Sequence, residues 1–196
     1  SKIEASTIAD TLKIEKKKYF VVSTHREENV DNPENLRRIL VILNSLAGDY
    51  QLPVIVSTHP RTRKRMEALD ASKMDPLIQF LKPFGFTDYV NLQMNALCTV
   101  SDSGTISEES AMLDFAAISL RNSMERPEAQ DAGTIMLTGF EPELVLGAIR
   151  LAIQEHIISR SRQISADYQV PDTSWRVLKL LHGLPSLSNT WHGILE

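Results

Sequence analysis

The chain has 196 residues, of which 42% are hydrophobic and 23% charged, enough to bury one sizeable core or a core and a tail. A net charge of -4 provides no basic field for nucleic acid, and no apolar run approaches the ~20 residues of a membrane span. The single cysteine, Cys98, excludes an intrachain disulfide, and its position in an apolar run is typical of a reduced protein. We therefore expect a cytoplasmic protein that binds neither nucleic acid nor membrane.

The first 18 residues lack the apolar core of a signal peptide and look like a helix entered in mid-protein, so we expect the chain to be part of a longer protein. Six short apolar runs follow, rich in β-branched and aromatic residues. They span residues 19–24, 53–58, 78–83, 96–102, 116–121 and 133–139. Because most of these runs do not alternate apolar and polar residues, they are typical of strands covered on both faces.

Helical patterns separate these runs. The first begins with Asn32 and Pro33, a pair typical of a helix N-cap and first turn, and its apolar residues have helical spacing. That stripe consists of Leu36, Ile39, Leu40, Leu43 and Leu46. Further helices are predicted at 62–69, 87–95, 105–114, 126–131 and 141–160. The alternation predicts an α/β fold with a doubly wound parallel sheet.

The end of the chain departs from this alternation. The stretch "SADYQVPDTSWRVLKLLHGL" contains a Pro-Asp break and then one amphipathic helix, which carries Trp175, Leu178 and Leu181, and no strand precedes it. We predict a doubly wound domain over residues 1–165 and a helical appendage over 166–196. The apolar face of this appendage is expected to need a partner.

Polar residues gather after four of the predicted strands, where ligands of open α/β sheets bind. After the first strand, "STHREENVD" contains His25 and Arg26, which suit proton transfer and phosphate binding. After the second, "STHPRTRKR" places His59 directly behind the strand, where we expect it to point into the cleft. Solvated loops are the alternative interpretation, and the basic run after His59 is more typical of an exposed helix face.

The third stretch, "VSDSGTISEES", follows the fourth run and predicts a phosphate-binding turn at a helix start. Ser103, Gly104 and Thr105 offer a hydroxyl and backbone amides at the positive end of the helix. Two glutamates follow, although a phosphate disfavours nearby negative charge. Glu108 can close a capping box with Thr105, which alone would also explain the stretch, while Glu109 can accept hydrogen bonds from ribose hydroxyls. The stretch therefore favours a nucleotide as ligand.

The fourth stretch, "RNSMERPEAQDAG", begins at the end of the fifth run. Its Arg121 and Arg126 can clamp a phosphate or pair with Glu108, Glu125 or Glu128 in a salt-bridged loop, and the sequence favours neither. One cysteine and scattered histidines provide no zinc-binding spacing, and the chain has neither a G-x-S-x-G elbow nor a Walker loop.

Taken together, "HREENVDN", "STHPR", "SDSGTISEE" and "RNSMERPEAQDAGT" strongly resemble the non-hydrolysing UDP-N-acetylglucosamine 2-epimerases of bacteria and archaea. These enzymes share a two-domain architecture with GT-B glycosyltransferases. The resemblance covers nearly all of residues 17–155 and, more loosely, the tail. It extends only over the family's C-terminal half, so it implies that a Rossmann-like N-terminal domain with catalytic acidic residues lies outside this chain.

The resemblance also implies roles for individual residues. His25 is similar to the catalytic-site histidine of this domain, close to the diphosphate and the departing oxygen. Arg26 resembles a neighbour that some members share with a second, allosteric nucleotide-sugar site, and His59 resembles a histidine linked to the same region. We place Arg121 in this substrate or allosteric region as well.

The nucleotide site follows from the same resemblance. Ser103, Gly104 and Thr105 match the diphosphate loop, and Glu109 matches the ribose-binding glutamate. The segment from Phe84 to Phe86 falls where the uracil is held, largely by backbone.

Family members eliminate UDP from the hexosamine to give a glycal and then add UDP back with inverted C2 configuration, without metal or nicotinamide. The resemblance thus implies UDP and a UDP-N-acetylhexosamine as ligands, the missing N-terminal domain as a partner, and no cofactor. For the full-length protein we expect a homodimer. The final helix of family members crosses back onto the N-terminal domain, which implies the same for residues 166–196.

Two departures from the family and two rival functions remain. Thr105 stands where many members have a second glycine, and "HREEN", less basic than the usual loop, indicates a branch that acts on modified sugars. The first rival is the donor-binding domain of a GT-B glycosyltransferase, which would need an acceptor cleft instead of acidic residues facing C2. The second is a non-catalytic sensor of nucleotide sugars, which would not need His25.

Overall fold

The computed structural model describes residues 2–58, 62–65, 74–158, 164–185 and 187–193. The chain divides into two compact units, Ser1–Ile164 and Ser165–Glu196. The strands of the first unit are β1 Phe20–Ser23, β2 Val54–Ser57, β3 Ile78–Leu81, β4 Cys98–Ser101, β5 Ala117–Ser119 and β6 Met136–Leu137. All pair in parallel in one sheet with the order β3-β2-β1-β4-β5-β6.

Helices connect these strands, and the predicted doubly wound parallel sheet is confirmed. They are α1 Ile8–Leu12, α2 Glu27–Val30, α3 Pro33–Tyr50, α4 Phe86–Asn95, α5 Ile106–Leu113, α6 Pro127–Asp131 and α7 Pro142–Ile157. Residues 62–65 are helical as well, and the rest of the helix predicted at 62–69 lies outside the described residues. None of the helices in the described ranges has the length and apolar character needed to cross a membrane.

The core lies on both faces of the sheet. Phe20 and Val22 of β1 pack into one cluster with buried residues of α3 and α7, whereas Val21 packs into a second cluster that includes Leu92 of α4. Every residue of β1, β2 and β4 is buried. Because both faces are covered, neither face selects polar residues, which explains why the strand sequences do not alternate.

Helix α3 forms the largest part of the first cluster and begins as predicted. The Asn32 side chain accepts hydrogen bonds from the backbone amides of Glu34 and Asn35, and Pro33 occupies the first turn. The apolar stripe is shifted slightly from the prediction, since Ile42 is buried and Leu40 is only partly buried. Covering two strands and α7 requires a wider stripe than the five predicted positions.

The predicted strands are longer than the observed strands, and the difference is largest at the sheet edge. The run 133–139 forms only the two-residue strand Met136–Leu137. Gly133 and Gly139, with φ values of 68° and 64°, lie on either side in the left-handed region, where the backbone leaves the extended conformation. The apolar pattern continues through these turns and does not show where pairing stops.

Strand register aligns the carboxyl ends of the central strands. Ser23 of β1 lies beside Ser57 of β2 and Ser101 of β4, and Ser101 in turn lies beside Ser119 of β5. The strand order reverses direction between β1 and β4. Connections on the two sides of this point run away from each other, so a crevice opens beyond Ser23 and Ser101.

The second unit is helical. It contains a 3-10 turn at Ala166–Gln169, capped by the side chain of Ser165, then α8 Thr173–Gly183 and the short helix α9 Ser188–Trp191. The predicted amphipathic helix is thus present as α8. Its apolar residues are exposed, Trp175 at 62% and Leu181 at 63%.

Candidate functional site

The loops that follow β1, β4 and β5 meet beyond the crevice between β1 and β4. His25 and Arg26 follow β1, the turn 103–105 follows β4, and Arg121 follows β5. Hydrogen bonds that involve side chains join all three loops, so this part of the structure brings together residues that are up to 99 positions apart in sequence. His59, which was predicted to point into the same cleft, lies outside the described residues.

A buried carboxylate, Asp102, anchors the loop after β1. It is 1% exposed and accepts hydrogen bonds from the backbone amides of His25 and Arg26, each at 3.0 Å, and from the side-chain amide of Asn29 at 2.9 Å. Its own backbone amide donates to the carbonyl of Ser23. Asp102 therefore fixes the backbone of the predicted catalytic histidine, whose side chain is exposed.

The role of Asp102 was not predicted from the sequence. The residue stands inside the "SDSGTISEE" motif, directly behind β4, and its position at a strand end was the available signal. Its partners lie more than 70 residues away, so local spacing could not reveal them.

The turn at residues 103–105 leads into α5 and is organised by hydroxyl groups. The Ser103 backbone amide donates to Ser101 Oγ at 3.1 Å, and the hydroxyls of Ser103 and Thr105 are hydrogen-bonded at 3.0 Å. Ser103 Oγ also accepts from the Thr105 amide at 3.4 Å. Ser103 and Gly104 are half-buried and Thr105 is exposed, so the start of α5 faces the crevice.

The predicted capping box is wrong. Thr105 makes no side-chain capping bond, because its backbone is already helical, with φ -71° and ψ -13°. An N-cap side chain reaches the following amides from an extended backbone. Glu108 points elsewhere and accepts a hydrogen bond from Arg126 Nε at 2.6 Å. It thus joins α5 to the start of α6 as one bridge of the salt-bridged loop considered above.

Glu109, one residue further, lies in different surroundings. It is half-buried, and its Oε2 accepts a hydrogen bond at 2.9 Å from the side-chain amide of Gln93 on α4. Gln93 is 1% exposed. This contact fixes the direction of the Glu109 carboxylate, and Oε1 takes no part in the bond with Gln93. Gln93 was not predicted from the sequence, since nothing in the spacing of α4 distinguishes it from a core position.

Tyr89, one turn before Gln93, lies beneath the same crevice. Burial raises the pKa of the Tyr89 hydroxyl to about 12, and the nearby hydroxyls of Ser23 and Ser101 lower it in part. The negative charges of Glu109 and Asp102 contribute to the increase. The phenol is therefore neutral at physiological pH and lies near the carboxyl ends of β1 and β4.

Two arginines converge on one carboxylate above the turn. Arg26 Nη2 donates to both oxygens of Glu125, at 2.7 and 2.8 Å, and Arg121 Nη2 donates to Oε1 at 2.8 Å. Arg26 is held in place by a further bond from its Nε to the carbonyl of Asp102 at 2.9 Å. Hydrogen bonds from Arg121 and then Arg26 lower the pKa of Glu125 to about 2, so its carboxylate is charged at neutral pH.

The two phenylalanines predicted beside a uracil lie around the start of α4. Phe84 is half-buried and packs against the second core cluster, and Phe86, the first residue of α4, is 75% exposed. Gly85 between them is the N-cap of α4, with an extended backbone. Among the described residues, no group of three histidine, cysteine, aspartate or glutamate side chains is arranged to hold a metal ion.

Residues 1–182 match the family model of UDP-N-acetylglucosamine 2-epimerases. The chain belongs to this family. The resemblance inferred from its four motifs is therefore confirmed.

Curated relatives agree with this assignment. The UDP-N-acetylglucosamine 2-epimerases of Methanococcus maripaludis and Methanocaldococcus jannaschii are 32% and 34% identical over 142 and 140 residues. These alignments cover 71% and 70% of this chain but only 39% and 38% of the relatives. The aligned part of this chain thus spans about two fifths of the length of the relatives that it matches.

Solved structures of the family share its fold. The UDP-N-acetylglucosamine 2-epimerase of Rickettsia bellii superposes with a TM-score of 0.86 at 40% identity, over 96% of this chain and 51% of that one. The Methanocaldococcus jannaschii enzyme in complex with UDP-GlcNAc and UDP gives a TM-score of 0.77 at 28% identity, over 92% of this chain and 49% of that one.

Proposed function

We propose that this chain is the UDP-binding half of a UDP-N-acetylhexosamine 2-epimerase. The observation that carries the proposal is the meeting of Arg26, Arg121 and the Gly104 turn at the strand-order reversal between β1 and β4. Two guanidinium groups beside the N-terminus of an eight-residue helix suit the charge of a diphosphate. The structure of a relative in complex with UDP-GlcNAc and UDP supports this choice of ligand.

The nucleotide is held in three parts in this proposal. The diphosphate lies on the turn of Ser103, Gly104 and Thr105, next to both arginines. Glu109, oriented by Gln93, accepts hydrogen bonds from the ribose hydroxyls. The uracil lies along the backbone of residues 84–86 at the start of α4.

The chemistry of the proposal is elimination followed by addition. The C2 proton leaves and the bond between the anomeric carbon and the diphosphate oxygen breaks, giving a glycal and UDP. UDP then adds back to the anomeric carbon while a proton returns to C2 on the opposite face. His25, whose backbone Asp102 fixes, lies next to the departing oxygen and exchanges a proton with it. The groups that remove and return the C2 proton belong to an N-terminal domain outside this chain.

Three further parts of the proposal concern the whole protein. Residues 1–165 form the Rossmann-like domain, and residues 166–196 cross to the N-terminal domain. The full-length protein assembles as a homodimer in the cytoplasm, and the reaction requires no metal or nicotinamide.

The decisive experiment uses the full-length protein and UDP-N-acetylhexosamines in deuterated water. We expect epimerised product that carries deuterium at C2, because the proton removed there exchanges with solvent before one returns. Transfer of the sugar to an acceptor without exchange at C2 would instead identify a glycosyltransferase. Binding of UDP-sugar without either reaction would identify a sensor.

The 196-residue chain alone provides a second test. We expect it to bind UDP weakly and to catalyse no epimerisation, because it carries the diphosphate and ribose contacts but not the groups that act at C2. Turnover by this chain comparable to that of the full-length protein would contradict the division of labour between the two domains.

A further inference from the structure

The space above Gly104 is filled by a side chain of the protein itself. A carboxylate oxygen of Glu125 lies so close to the Cα of Gly104 that a β-carbon at this position would collide with it. The same carboxylate receives all three of the arginine hydrogen bonds described above, from Arg26 and Arg121. We call the region bounded by Gly104, Arg26 and Arg121 the anion site. An anionic group of the protein occupies it in this structure.

The anion site can donate more hydrogen bonds than Glu125 uses. Arg121 is 4% exposed, and its Nε is buried without a hydrogen-bond partner in the described part of the chain. A guanidinium carries five N–H donors, and burying one of them unpaired is costly. A diphosphate offers more oxygen atoms than one carboxylate. A diphosphate therefore offers the two arginines more acceptors than Glu125 does.

We propose that Glu125 is a resident counter-anion, which occupies the anion site when nucleotide is absent and must be displaced by the phosphates of the ligand. Two anions cannot both lie between these arginines and Gly104, because each would face the negative charge of the other. The Glu125 side chain is 39% exposed, so its carboxylate can move into solvent without crossing the core. The ligand then takes over the hydrogen bonds of Arg26 and Arg121.

This displacement makes Glu125 a determinant of specificity. Every ligand that enters the anion site loses part of its binding free energy to the removal of the carboxylate. A diphosphate, with more oxygens for the same two arginines, recovers this loss better than a monophosphate does. A ligand without phosphate does not enter the anion site, and its affinity is independent of Glu125.

The proposal rests on the proposed function for the identity of the nucleotide, so its test uses inorganic pyrophosphate. Calorimetric titration compares the chain with Glu125→Ala, which empties the anion site, and Glu125→Gln, which removes the charge but keeps the shape. We expect pyrophosphate to bind Glu125→Ala about five- to tenfold more tightly than the unchanged chain, with a smaller gain for Glu125→Gln. Uridine affinity stays the same in both variants.

The control is Glu143→Gln, which makes the same charge change at an exposed position in the first turn of α7. Pyrophosphate affinity of this variant stays at the level of the unchanged chain. An equal gain in the control would assign the effect to net charge and overturn the proposal. Equal or weaker binding by the Glu125 variants would show that Glu125 positions the arginines and would overturn the proposal. If none of the proteins binds pyrophosphate, the region does not bind anions and the proposal is also wrong.

The two proposals can fail separately. If the Glu125 variants bind pyrophosphate more tightly but no protein binds UDP, the role of Glu125 as a counter-anion is supported and the assignment of the nucleotide is contradicted. Should Glu125→Ala not fold, the near-isosteric Glu125→Gln decides the question with the same expected direction.

Discussion

Asp102 and Glu125 are two carboxylates of one site that differ in their partners and in their burial. Asp102 is 1% exposed, and two of its three donors are backbone amides of the loop after β1. The Glu125 side chain is 39% exposed, and its donors are the ends of two arginine side chains. Backbone amides cannot turn away without refolding the loop, whereas an arginine can exchange one anion for another. The first carboxylate is therefore a structural anchor and the second a replaceable ligand.

The largest effect that this difference predicts is a loss of stability in Asp102→Ala. The substitution leaves two amides and the Asn29 side chain without their acceptor, and buried unpaired donors cost about 1–3 kcal/mol each. We expect urea denaturation to show a loss of about 3 kcal/mol or more, with a smaller loss for Asp102→Asn. Asp49→Ala, at an exposed position of α3, is the control and should change stability by less than about 0.5 kcal/mol.

Pyrophosphate affinity provides a further test of the difference between Asp102 and Glu125. It should fall in Asp102→Ala, since Arg26 loses the support of its loop, and rise in Glu125→Ala. A change in the same direction in both variants would show that the two carboxylates have one role.

The second prediction separates Glu109 from Glu108. Loss of a charged acceptor for ribose hydroxyls costs about 1.5–3 kcal/mol, so Glu109→Ala should weaken UDP binding roughly tenfold or more. Glu108→Ala breaks a partly exposed ion pair with Arg126 and should leave UDP affinity within about twofold of the unchanged chain. Calorimetric titration with UDP measures both variants, and the reverse order would exchange their assigned roles.

A smaller effect is expected when Gln93 is replaced by Leu. The substitution keeps a side chain of similar size but removes the donor to Glu109 Oε2, so the carboxylate loses its fixed direction. We expect UDP affinity to fall about threefold. The effect is small because the lost hydrogen bond orients Glu109 and does not itself contact UDP. In the Glu109→Ala background the same change should have no effect on UDP affinity. An undiminished effect there would mean that Gln93 does not act through Glu109.

The last prediction concerns the stability of the fold at low pH. The pKa of Glu125 is lowered in the folded chain from 4.5 to about 2, so its interactions stabilise the fold above about pH 4.5 and are lost as the pH falls toward 2. Glu125→Gln carries no charge to lose and should show a weaker decline in melting temperature over this range. Above pH 5 the difference between the two proteins should not change with pH. An identical decline in both would indicate that the arginine pairs contribute nothing to folding.

The sequence predicted the sheet and the position of the site for clear physical reasons. Burial on both faces leaves unbroken apolar runs, and ligands bind at the carboxyl ends of such strands, so His25, Gly104 and Arg121 could be assigned to one edge. The sequence left ion pairs of Arg121 and Arg126 with nearby glutamates as one of two alternatives, and the partners of His25 and Arg26 could not be predicted. Glu125 contacts Arg26 across 99 positions, and Glu108 pairs with Arg126 although its spacing to Thr105 fits a capping box. Such contacts depend on how loops pack together, which short-range patterns do not record.

The short strand β6 limits how one edge of the sheet can pair with other copies of the chain. A sheet edge exposes unpaired backbone groups, and a long regular edge can recruit strands from other molecules. Here the final strand has two residues, and left-handed glycines turn the backbone away on both sides. The backbone of β6 can form too few hydrogen bonds with an approaching strand to hold it. The same turns thus make this edge of the sheet a poor template for edge-to-edge pairing.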